Sequence, residues 1–293
     1  MPQIKSVLCP VDFSEFSVNA YEYAQSLAWH YKATLFLQHI LYPLYSGALA
    51  YDSDPYEKIC QQLRVDAEEK LRRFAERHAR SKIRPQCLVQ DGPVTDLILS
   101  QAEALAVNLI VMGTHGLRGI DRLMLGSATE RVLRRARCPV LAVRKPAHHV
   151  MSSVHDPEPV HLRKMLLCLD FSDHAHHASK YALSMAKEYG AELTLLHVLE
   201  DVPKSTDLES ATAKVVKQLE ESIAPNTREG CIGKVMVRIG KPYQQIIQLA
   251  LEAQIDLVIM GVRGHGALDT AIFGSTAYRV IQLGSCPVLA VHI

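Results

Sequence analysis

The sequence predicts an α/β protein built from two tandem doubly wound domains, each a five-stranded parallel sheet flanked by helices. Short runs that are apolar throughout alternate with segments of helical periodicity, which is typical of parallel strands buried on both faces. This pattern occurs twice along the chain. Of the 293 residues, 48% are hydrophobic and 22% are charged, an ordinary globular composition that is large enough for two domains.

The duplication can be followed residue by residue. The segment VLCPVDFSEFSVNAYEYAQSLAWHYKATLFLQHI (7–40) aligns with MLLCLDFSDHAHHASKYALSMAKEYGAELTLLHV (165–198) at a constant offset of 158 residues. From Gly92, which aligns with Gly240, the offset is 148, so the second copy is ten residues shorter between these points. We expect the additional length of the first copy in 42–60, because its Tyr, Asp and Pro content is typical of a loop.

Each strand is predicted from a short apolar run and each helix from apolar residues at helical spacing. In the first copy the strands are Ser6–Pro10, Thr34–Ile40, Gln86–Val89, Leu109–Met112 and Pro139–Val143, and the helices are Ser14–Tyr31, Tyr56–Arg80, Val94–Ala106 and Ser127–Arg137. Ser14 or Ser17 is the candidate N-cap of the first helix. With right-handed crossovers this order gives a Rossmann-like fold, whose ligands bind beyond the carboxyl ends of the strands.

The stretch between the copies, KPAHHVMSSVHDPEPVH (145–161), is rich in His, Pro and Ser and lacks periodic apolar spacing. Such a composition is typical of a linker. We therefore assign the first domain to 1–146, the linker to 147–161 and the second domain to 162–293. Each copy then has a size that is common for one domain.

Charge and cysteine usage narrow the function classes. The net charge of +1 shows no basic excess of the kind that nucleic-acid-binding surfaces carry. No apolar run approaches the roughly 20 residues that span a membrane, and the N-terminus lacks the pattern of a signal peptide. The 7 cysteines include no CxxC pair and several lie in apolar stretches, which indicates buried, reduced thiols. We expect a cytoplasmic protein.

The segment MGTHGLRGIDRLMLGSAT (112–129) is the strongest candidate for a binding site. Gly113 follows the fourth strand, where a residue without Cβ lets the backbone turn and a ligand approach closely. Gly126 and Ser127 stand at the start of the last helix, whose free N–H groups and partial positive charge suit a phosphate. The same residues also suit a turn and an ordinary helix cap, so a purely structural role stays open.

The spacing G-x2-G-x9-G-[ST] is similar to the nucleotide signature of the universal stress protein family. It is met twice, by Gly113, Gly116, Gly126 and Ser127 and again by Gly261, Gly264, Gly274 and Ser275. The flanking sequences CPVDFS, QHI and GSATERVLRRARCPVLAVR also resemble that family. The resemblance covers nearly the whole chain except the linker and 42–60, and it implies two domains of the adenine nucleotide alpha hydrolase-like fold.

In the ATP-binding branch of this family, the Asp after strand one holds the adenosine end, the residue ending strand two lines the adenine pocket, and the glycine segment wraps ribose and phosphates. The resemblance implies a first site of Pro10, Val11, Asp12, Ile40, Met112, Gly113, His115, Gly116, Gly126, Ser127, Ala128 and Thr129. It implies a second site of Leu169, Asp170, Val198, Met260, Gly261, Arg263, Gly264, Gly274, Ser275 and Thr276. Asp12 would accept hydrogen bonds from ribose hydroxyls or an adenine amine; alternatively it caps the first helix.

The two sites are not identical. Cys168 replaces Pro10, Arg263 replaces His115, and Thr276 with Ala277 replaces the pair 128–129. Arg263 would contact phosphate through its planar guanidinium or point to solvent. We expect the second site to be competent and to differ from the first in affinity.

The resemblance implies a stress-response regulatory protein that binds ATP or another adenine nucleotide, with or without Mg²⁺, at one site per domain. No GxxxxGK[ST], GxSxG or HxGH motif is present. Two alternatives stay open: a slow ATPase or self-phosphorylating protein in which Asp12 or His115 positions water, and an interaction module whose glycines are structural. The family further implies that the copies form an intramolecular pseudo-dimer with the last strands, Pro139–Val143 and Pro287–Val291, adjacent. A homodimer and an unidentified protein partner are compatible with this reading, and no membrane or nucleic acid is expected.

Three clusters need a separate interpretation. The histidines His174, His176 and His177 are favoured as solvated side chains at a helix start over a metal site shared with linker histidines. His39 and His197 are favoured as packed, hydrogen-bonded residues over catalytic bases. We interpret the arginines of the last helix of copy one as a solvated face or an interface in preference to an anion site. These arginines are Arg131, Arg134, Arg135 and Arg137.

Overall fold

The computed structural model describes residues 3–41, 54–80, 82–116, 125–144, 160–200, 202, 207–223, 232–262 and 273–293. Its strands are β1 (Ser6–Pro10), β2 (Thr34–Leu41), β3 (Gln86–Asp91), β4 (Leu109–Gly113), β5 (Val140–Val143), β6 (Lys164–Cys168), β7 (Glu192–Leu199), β8 (Ile232–Ile239), β9 (Leu257–Gly261) and β10 (Val288–Val291). Its helices are α1 (Glu15–Tyr31), α2 (Asp54–Arg77), α3 (Val94–Ala104), α4 (Ser127–Arg135), α5 (Asp173–Tyr189), α6 (Leu208–Glu221), α7 (Pro242–Glu252) and α8 (Ser275–Leu283).

All ten strands belong to one continuous sheet in the order β3-β2-β1-β4-β5-β10-β9-β6-β7-β8. Within each copy neighbouring strands are parallel, as predicted. The copies join through β5 and β10, which pair antiparallel with Leu141 opposite Leu289. The predicted adjacency of the last strands is therefore confirmed, and the order of strands in one half mirrors that in the other.

The sheet separates two hydrophobic cores, and each core extends through both copies. Helices α1, α2, α5 and α6 cover one face, where Leu27 and Leu71 are buried. Helices α3, α4, α7 and α8 cover the other face, where Ile98 and Leu133 are buried. Strands that are covered on both faces are apolar throughout. Apolar runs that alternate with helical segments therefore predicted this architecture correctly.

The first helix of each copy begins at an equivalent serine cap. Ser14 accepts a hydrogen bond from the Ser17 N–H, and Ser172 accepts one from the Ala175 N–H. Ser14 is therefore the N-cap of α1, and Ser17 lies inside the helix. The C-terminal ends differ, because the left-handed position is Lys32 with φ 53° in copy one and Gly190 with φ 61° in copy two.

The additional length of the first copy lies in a helix. Helix α2 has 24 residues and its counterpart α6 has 14. The helix predicted over Tyr56–Arg80 is observed over Asp54–Arg77, so the loop expected over 42–60 ends before Asp54; residues 42–53 lie outside the described residues. Ala67 and Leu71 of α2 are buried against the sheet, which explains why a strongly charged segment is held in place.

Each copy contributes a polar side chain to the last helix of the other. The Arg144 guanidinium donates to the carbonyl oxygens of Gln282 and Gly284 at the end of α8. Its pseudo-symmetric counterpart His292 donates from Nε2 to the Leu133 carbonyl of α4, at 2.8 Å. These bonds satisfy carbonyl groups at helix ends and tie the copies together.

Val160, the penultimate residue of the expected linker, packs against the first copy. It is 2% exposed, and its N–H donates to the Ser26 hydroxyl of α1 at 3.2 Å. The preceding part of the linker lies outside the described residues. Within the part of the chain that the structure describes, no helix is both long and apolar enough to cross a membrane.

Candidate functional site

A cleft of about 830 Å³ lies at the carboxyl ends of the strands of copy one. All twelve residues implied for the first site line this cleft, and they end or follow β1, β2 and β4 or lie at the start of α4. They are Pro10, Val11, Asp12, Ile40, Met112, Gly113, His115, Gly116, Gly126, Ser127, Ala128 and Thr129. Ten further residues line it as well: Ser17, Gln38, Pro93, Val94, Thr95, Asp96, Ile98, Leu125, Arg131 and Arg135. The position of the cleft is the one expected for ligands of doubly wound folds.

The turn between β1 and α1 fixes the Asp12 carboxylate. Its Oδ1 accepts hydrogen bonds from the Ser14 N–H at 3.0 Å and from the Ser17 hydroxyl at 2.6 Å. The Asp12 N–H donates to the Ser17 hydroxyl oxygen at 3.0 Å. Phe13 between them has φ 67°, a left-handed conformation that this network holds. Asp12 therefore braces the turn, while the cap of α1 is Ser14.

The other carboxylate oxygen of Asp12 faces the glycine segment. A Cβ added to Gly116 would lie 2.5 Å from Asp12 Oδ2. No larger residue fits at Gly116 without displacing this carboxylate. The pairing places a negatively charged acceptor against bare backbone at the cleft wall.

Gly113 is required by the packing of a helix. An added Cβ would lie 2.8 Å from the Phe16 carbonyl oxygen and 2.8 Å from its Cβ, in the first turn of α1. At Gly261 an added Cβ would lie 2.7 Å from the His174 carbonyl carbon in α5. Because real Cβ atoms do not come this close, the first glycine of the signature serves the approach of helix to strand in both copies.

The start of α4 supplies free N–H groups at the cleft. Its N-cap is Gly126, which has no side chain to bond them, and the first helical bond runs from the Glu130 N–H to the Gly126 carbonyl at 2.9 Å. The Gly126 N–H is itself bonded to the Thr114 carbonyl at 2.8 Å. A helix beginning without a side-chain cap carries a partial positive charge and donors suited to an anion.

The Thr129 hydroxyl has a structural partner. It donates to the Gly113 carbonyl at 2.7 Å, and the residue is 4% exposed. This bond ties the beginning of α4 to the end of β4. Ser127, by contrast, is exposed and lines the cleft. The two hydroxyls of the segment are therefore not equivalent toward a ligand.

His115 is buried in the wall of the cleft. Its ring lies 4.8 Å from the Phe16 ring, and its Nδ1 is 2.9 Å from the Thr114 hydroxyl oxygen. The residue is 5% exposed. His115 therefore forms part of the cleft wall and is positioned by its contacts with Phe16 and Thr114.

The start of α3 forms a wall of the cleft that was not predicted from the sequence. Pro93, Val94 and Thr95 line the cleft opposite α4. The turn before them needs glycine, since Gly92 has φ 142° and an added Cβ would lie 3.2 Å from a Leu97 methyl group. The alignment of Gly92 with Gly240 was a signal for this turn, but nothing in the local sequence indicated that it faces the same cleft.

His39 and His197 are hydrogen-bonded in equivalent positions. His39 Nδ1 lies 2.8 Å from the Val11 carbonyl, and His197 Nδ1 lies 2.7 Å from the Leu169 carbonyl. Since a carbonyl only accepts, Nδ1 donates in both. Burial lowers the pKa of His39, and the bond to Val11 opposes that shift. Both are half-buried and tie the end of one strand to the next, in agreement with the packed interpretation.

The arginines of α4 divide into two groups. Arg134 pairs with Glu130 at 2.8 Å, and Arg137 pairs with Glu103 at 3.3 Å. Arg135 pairs with Asp96 at 2.7 Å, which joins the end of α4 to the start of α3 at the surface. All four arginines are exposed, in agreement with a solvated face, and Arg131 and Arg135 also line the cleft.

In copy two the implied residues occupy the same elements. Leu169 and Asp170 follow β6, Val198 lies on β7, Met260 and Gly261 end β9, and Gly274, Ser275 and Thr276 begin α8. Arg263 and Gly264 lie outside the described residues. The Asp170 carboxylate accepts from the Ser172 N–H at 3.1 Å and from the Ser172 hydroxyl at 2.6 Å. The Ser172 hydroxyl thus takes the place of the Ser17 hydroxyl, because Ala175 stands at the position of Ser17.

Two side chains of copy two differ from those at the aligned positions of the first cleft. Tyr243 stands where copy one has Thr95, and the Arg279 guanidinium lies 4.7 Å from the centre of its ring. Arg279 corresponds to Arg131, which lines the first cleft. A large ring with a cation stacked on it therefore replaces a small hydroxyl at this position.

Metal ligands and reactive thiols are not grouped in the described part of the chain. Within it no three His, Cys, Asp or Glu side chains lie close enough to hold a metal ion; of the linker histidines, His148, His149 and His155 fall outside it. The described cysteines are free, but the expectation of general burial is wrong for Cys87, which is exposed. Burial raises the pKa of the Cys138 thiol to about 11.

The model of the universal stress protein family matches residues 3–144 and 161–292. A universal stress protein of Mycolicibacterium smegmatis is 27% identical over 302 residues, covering 98% of this chain and 96% of that relative. The crystal structure of a universal stress protein from Archaeoglobus fulgidus shares the fold, with a TM-score of 0.65, 24% identity and coverage of 99% and 96% of the two chains. A universal stress protein crystallised in complex with cAMP has a TM-score of 0.33 and 23% identity, and the match covers 48% of this chain and 96% of that one. Since the family model matches two segments that together span most of the chain, the protein belongs to the universal stress protein family, with two copies of its domain in tandem.

Proposed function

We propose that the protein is a regulatory nucleotide-binding protein whose first copy holds ATP, or another adenine nucleotide, in the described cleft. The observation that carries the proposal is the convergence, in one cleft, of the uncapped start of α4 and the braced Asp12 turn. One provides donors for an anion and the other an acceptor for a neutral polar group. A nucleotide carries both kinds of group at its two ends.

The phosphate end is assigned to α4. The N–H groups of Ser127 and Ala128 belong to the first turn of a helix whose N-cap has no side chain. Bonds from such N–H groups to phosphate are charge-assisted and are favoured by the helix dipole. Arg131, one turn further along α4, adds a positive charge at the edge of the same cleft.

The adenosine end is assigned to the ends of β1 and β2. Val11 and Ile40 supply apolar walls for a base, and Asp12 Oδ2 faces the cleft wall at Gly116. A carboxylate suits ribose hydroxyls, which donate hydrogen bonds, and repels phosphate. The order of these groups along the cleft therefore sets one orientation of the nucleotide.

The second copy is proposed to hold a nucleotide at the equivalent place. Its Asp170 turn is braced, and Gly274 begins α8 without a side-chain cap, as in copy one. The Tyr243 ring with its stacked Arg279 changes the wall, so the affinity of this site differs from that of the first. Mg²⁺ would enter with the phosphates, since it prefers oxygen ligands and keeps several of its waters.

Calorimetry on protein from which nucleotide has been removed tests the proposal. ATP, ADP and cAMP are titrated separately into the full chain. We expect ATP to bind most tightly, because its phosphate chain reaches the start of α4. Absence of binding heat with all three nucleotides, at two temperatures to exclude a fortuitous zero enthalpy, contradicts the proposal.

The enzymatic alternative needs a group that activates water. Asp12 Oδ1 is bonded to Ser14 and Ser17, and His115 is buried beside Phe16, so both side chains serve the wall of the cleft. Phosphate release from ATP, compared with buffer and with an Asp12→Ala variant, separates a binding protein from a slow ATPase. If the glycines are purely structural, as in an interaction module, purified protein carries no nucleotide and binds none.

A further inference from the structure

Gln38 is a polar side chain buried where the cleft meets the core. It lies on β2, is 0% exposed and lines the cleft. Ile40, two residues further along the strand, points to the same side and also lines the cleft. Val94 and Ile98 of α3 line the same cleft.

The amide nitrogen of Gln38 is held by a relay of glutamines. Gln38 Nε2 donates to Gln90 Oε1 at 2.6 Å and to the Leu97 carbonyl at 3.3 Å. Gln90 Nε2 in turn donates to Gln101 Oε1 at 2.8 Å. Because the Leu97 carbonyl can only accept, the Gln38 nitrogen faces it, and the amide of Gln38 then presents its nitrogen to Gln90 as well.

The amide oxygen of Gln38 has no hydrogen-bond partner among the described residues. A buried acceptor left without a donor costs about 1–3 kcal/mol. Such a group is rarely kept in an otherwise apolar wall unless something completes it. The position of Gln38 in the cleft wall indicates that the missing donor belongs to the ligand.

The second copy lacks the whole relay. Leu196 stands at the position of Gln38, Arg238 at that of Gln90 and Leu249 at that of Gln101. Leu196 is 1% exposed and packs in the core, and Arg238 pairs with Glu252. Because all three positions differ together, the unfilled acceptor is a feature of the first site alone.

We propose that Gln38 determines the base preference of the first site by accepting a hydrogen bond from the 6-amino group of adenine. The inference rests on the proposed function, in which the phosphates lie at α4. Gln38 lies on β2, which is separated from β4 by β1, so it is at the opposite end from the phosphates. The carbonyl oxygen of an amide attracts an amine and repels the 6-oxo group of guanine or hypoxanthine.

Calorimetry with three nucleotides on two proteins tests this inference. ATP carries a 6-amino group, inosine triphosphate a 6-oxo group, and purine riboside triphosphate a hydrogen. They are titrated into the nucleotide-free wild-type chain and into Gln38→Leu, which installs the residue of copy two. Gln38→Met is a second variant of similar length, and thermal melting confirms that each variant is folded.

We expect wild-type protein to prefer ATP about tenfold over purine riboside triphosphate, since one hydrogen bond in a buried site is lost. In both variants this ratio should fall to about one, while binding of purine riboside triphosphate is unchanged. A ratio unaffected by the substitution overturns the inference and leaves the proposed function standing. Inosine triphosphate binding more tightly than ATP overturns it too, because the amide would then present its nitrogen. If none of the three nucleotides binds, both the inference and the proposed function fail.

Discussion

The two copies share their backbone geometry and differ in the side chains that complete it. Both begin their first helix at a serine cap and their last helix at a glycine without a side-chain cap. Around these features copy one has Ser17, Thr129 and Gln38, whereas copy two has Ala175, Ala277 and Leu196. Copy one therefore contains more buried hydroxyl and amide groups at its site. The comparison indicates that the shared residues maintain the fold and that the differing ones set what each site binds.

The largest expected effect concerns the first glycine of each signature. Gly113→Ala and Gly261→Ala should each lower the free energy of unfolding by about 2–3 kcal/mol, because the added Cβ meets the backbone of α1 or α5 at under 3 Å. Urea denaturation measures the effect. Gly126→Ala is a milder comparison, since its Cβ would lie 3.2 Å from the Thr114 carbonyl oxygen, a tight contact that a small shift relieves, and its φ of −60° suits any residue. Equal stability of Gly113→Ala and wild type would show that this glycine serves something other than packing.

A smaller effect is expected from the hydroxyl that braces Asp12. Ser17→Ala makes the turn resemble that of copy two and removes three hydrogen bonds: two with Asp12, of 2.6 Å and 3.0 Å, and one from the Ser14 hydroxyl, of 3.4 Å. We expect a loss of about 2 kcal/mol in the free energy of unfolding, because the Asp12 N–H loses its acceptor and the Asp12 carboxylate loses a donor. The reverse substitution, Ala175→Ser, should be nearly neutral. A neutral Ser17→Ala would mean that the Ser14 contacts suffice in both copies.

The bond between α4 and β4 gives a third comparison. Thr129→Ala reproduces Ala277 and removes the donor to the Gly113 carbonyl at 2.7 Å. The unfolding free energy should fall by about 1 kcal/mol. Ser127→Ala, at an exposed position two residues earlier, should change it by less than about 0.5 kcal/mol. Similar effects of the two substitutions in thermal melts would refute the distinction between a structural and a ligand-facing hydroxyl.

The smallest effect is a gain of stability. Lys32 occupies a left-handed position with φ 53°, where copy two has Gly190. Lys32→Gly should stabilise the chain by about 0.5–1 kcal/mol, since glycine avoids the Cβ clash of that conformation. Gly190→Lys should destabilise it by a similar amount. A loss of stability in Lys32→Gly would indicate that the lysine side chain contributes contacts that outweigh the backbone strain.

The fold was predictable because its main signals are local. Apolar runs such as those of β1 and β4, and the repeated glycine signature, indicated the strands, their order and the edge at which a ligand would bind. The glycines mark strand ends and helix starts, and these positions converge by topology alone. The pairing of β5 with β10 followed from the family resemblance.

Gln38 and the α3 wall were not predictable by the same means. Gln38 is one polar residue in an otherwise apolar strand, and its partner Gln90 lies 52 residues away in sequence. Which residues meet across such a distance depends on the crossover between β2 and β3. The replacement of Gln38 by Leu196 in the aligned copy was the available signal, and the comparison of copies could have identified it. The start of α2 was misplaced because Tyr, Asp and Pro also occur in first helical turns.

The central claim is that the first cleft holds the phosphates of a nucleotide at the start of α4. Ser127→Glu places a carboxylate there at an exposed position, and Ser275→Glu does the same in copy two at α8. An acid in the first helical turn stabilises the helix by a few tenths of a kcal/mol, so loss of binding cannot be attributed to unfolding.

Titration of ATP into wild type and both variants by calorimetry is the most direct measurement. We predict that Ser127→Glu weakens ATP binding at one site at least tenfold without lowering the melting temperature, and that Ser275→Glu leaves binding at that site intact. Unchanged ATP binding in Ser127→Glu would contradict the account.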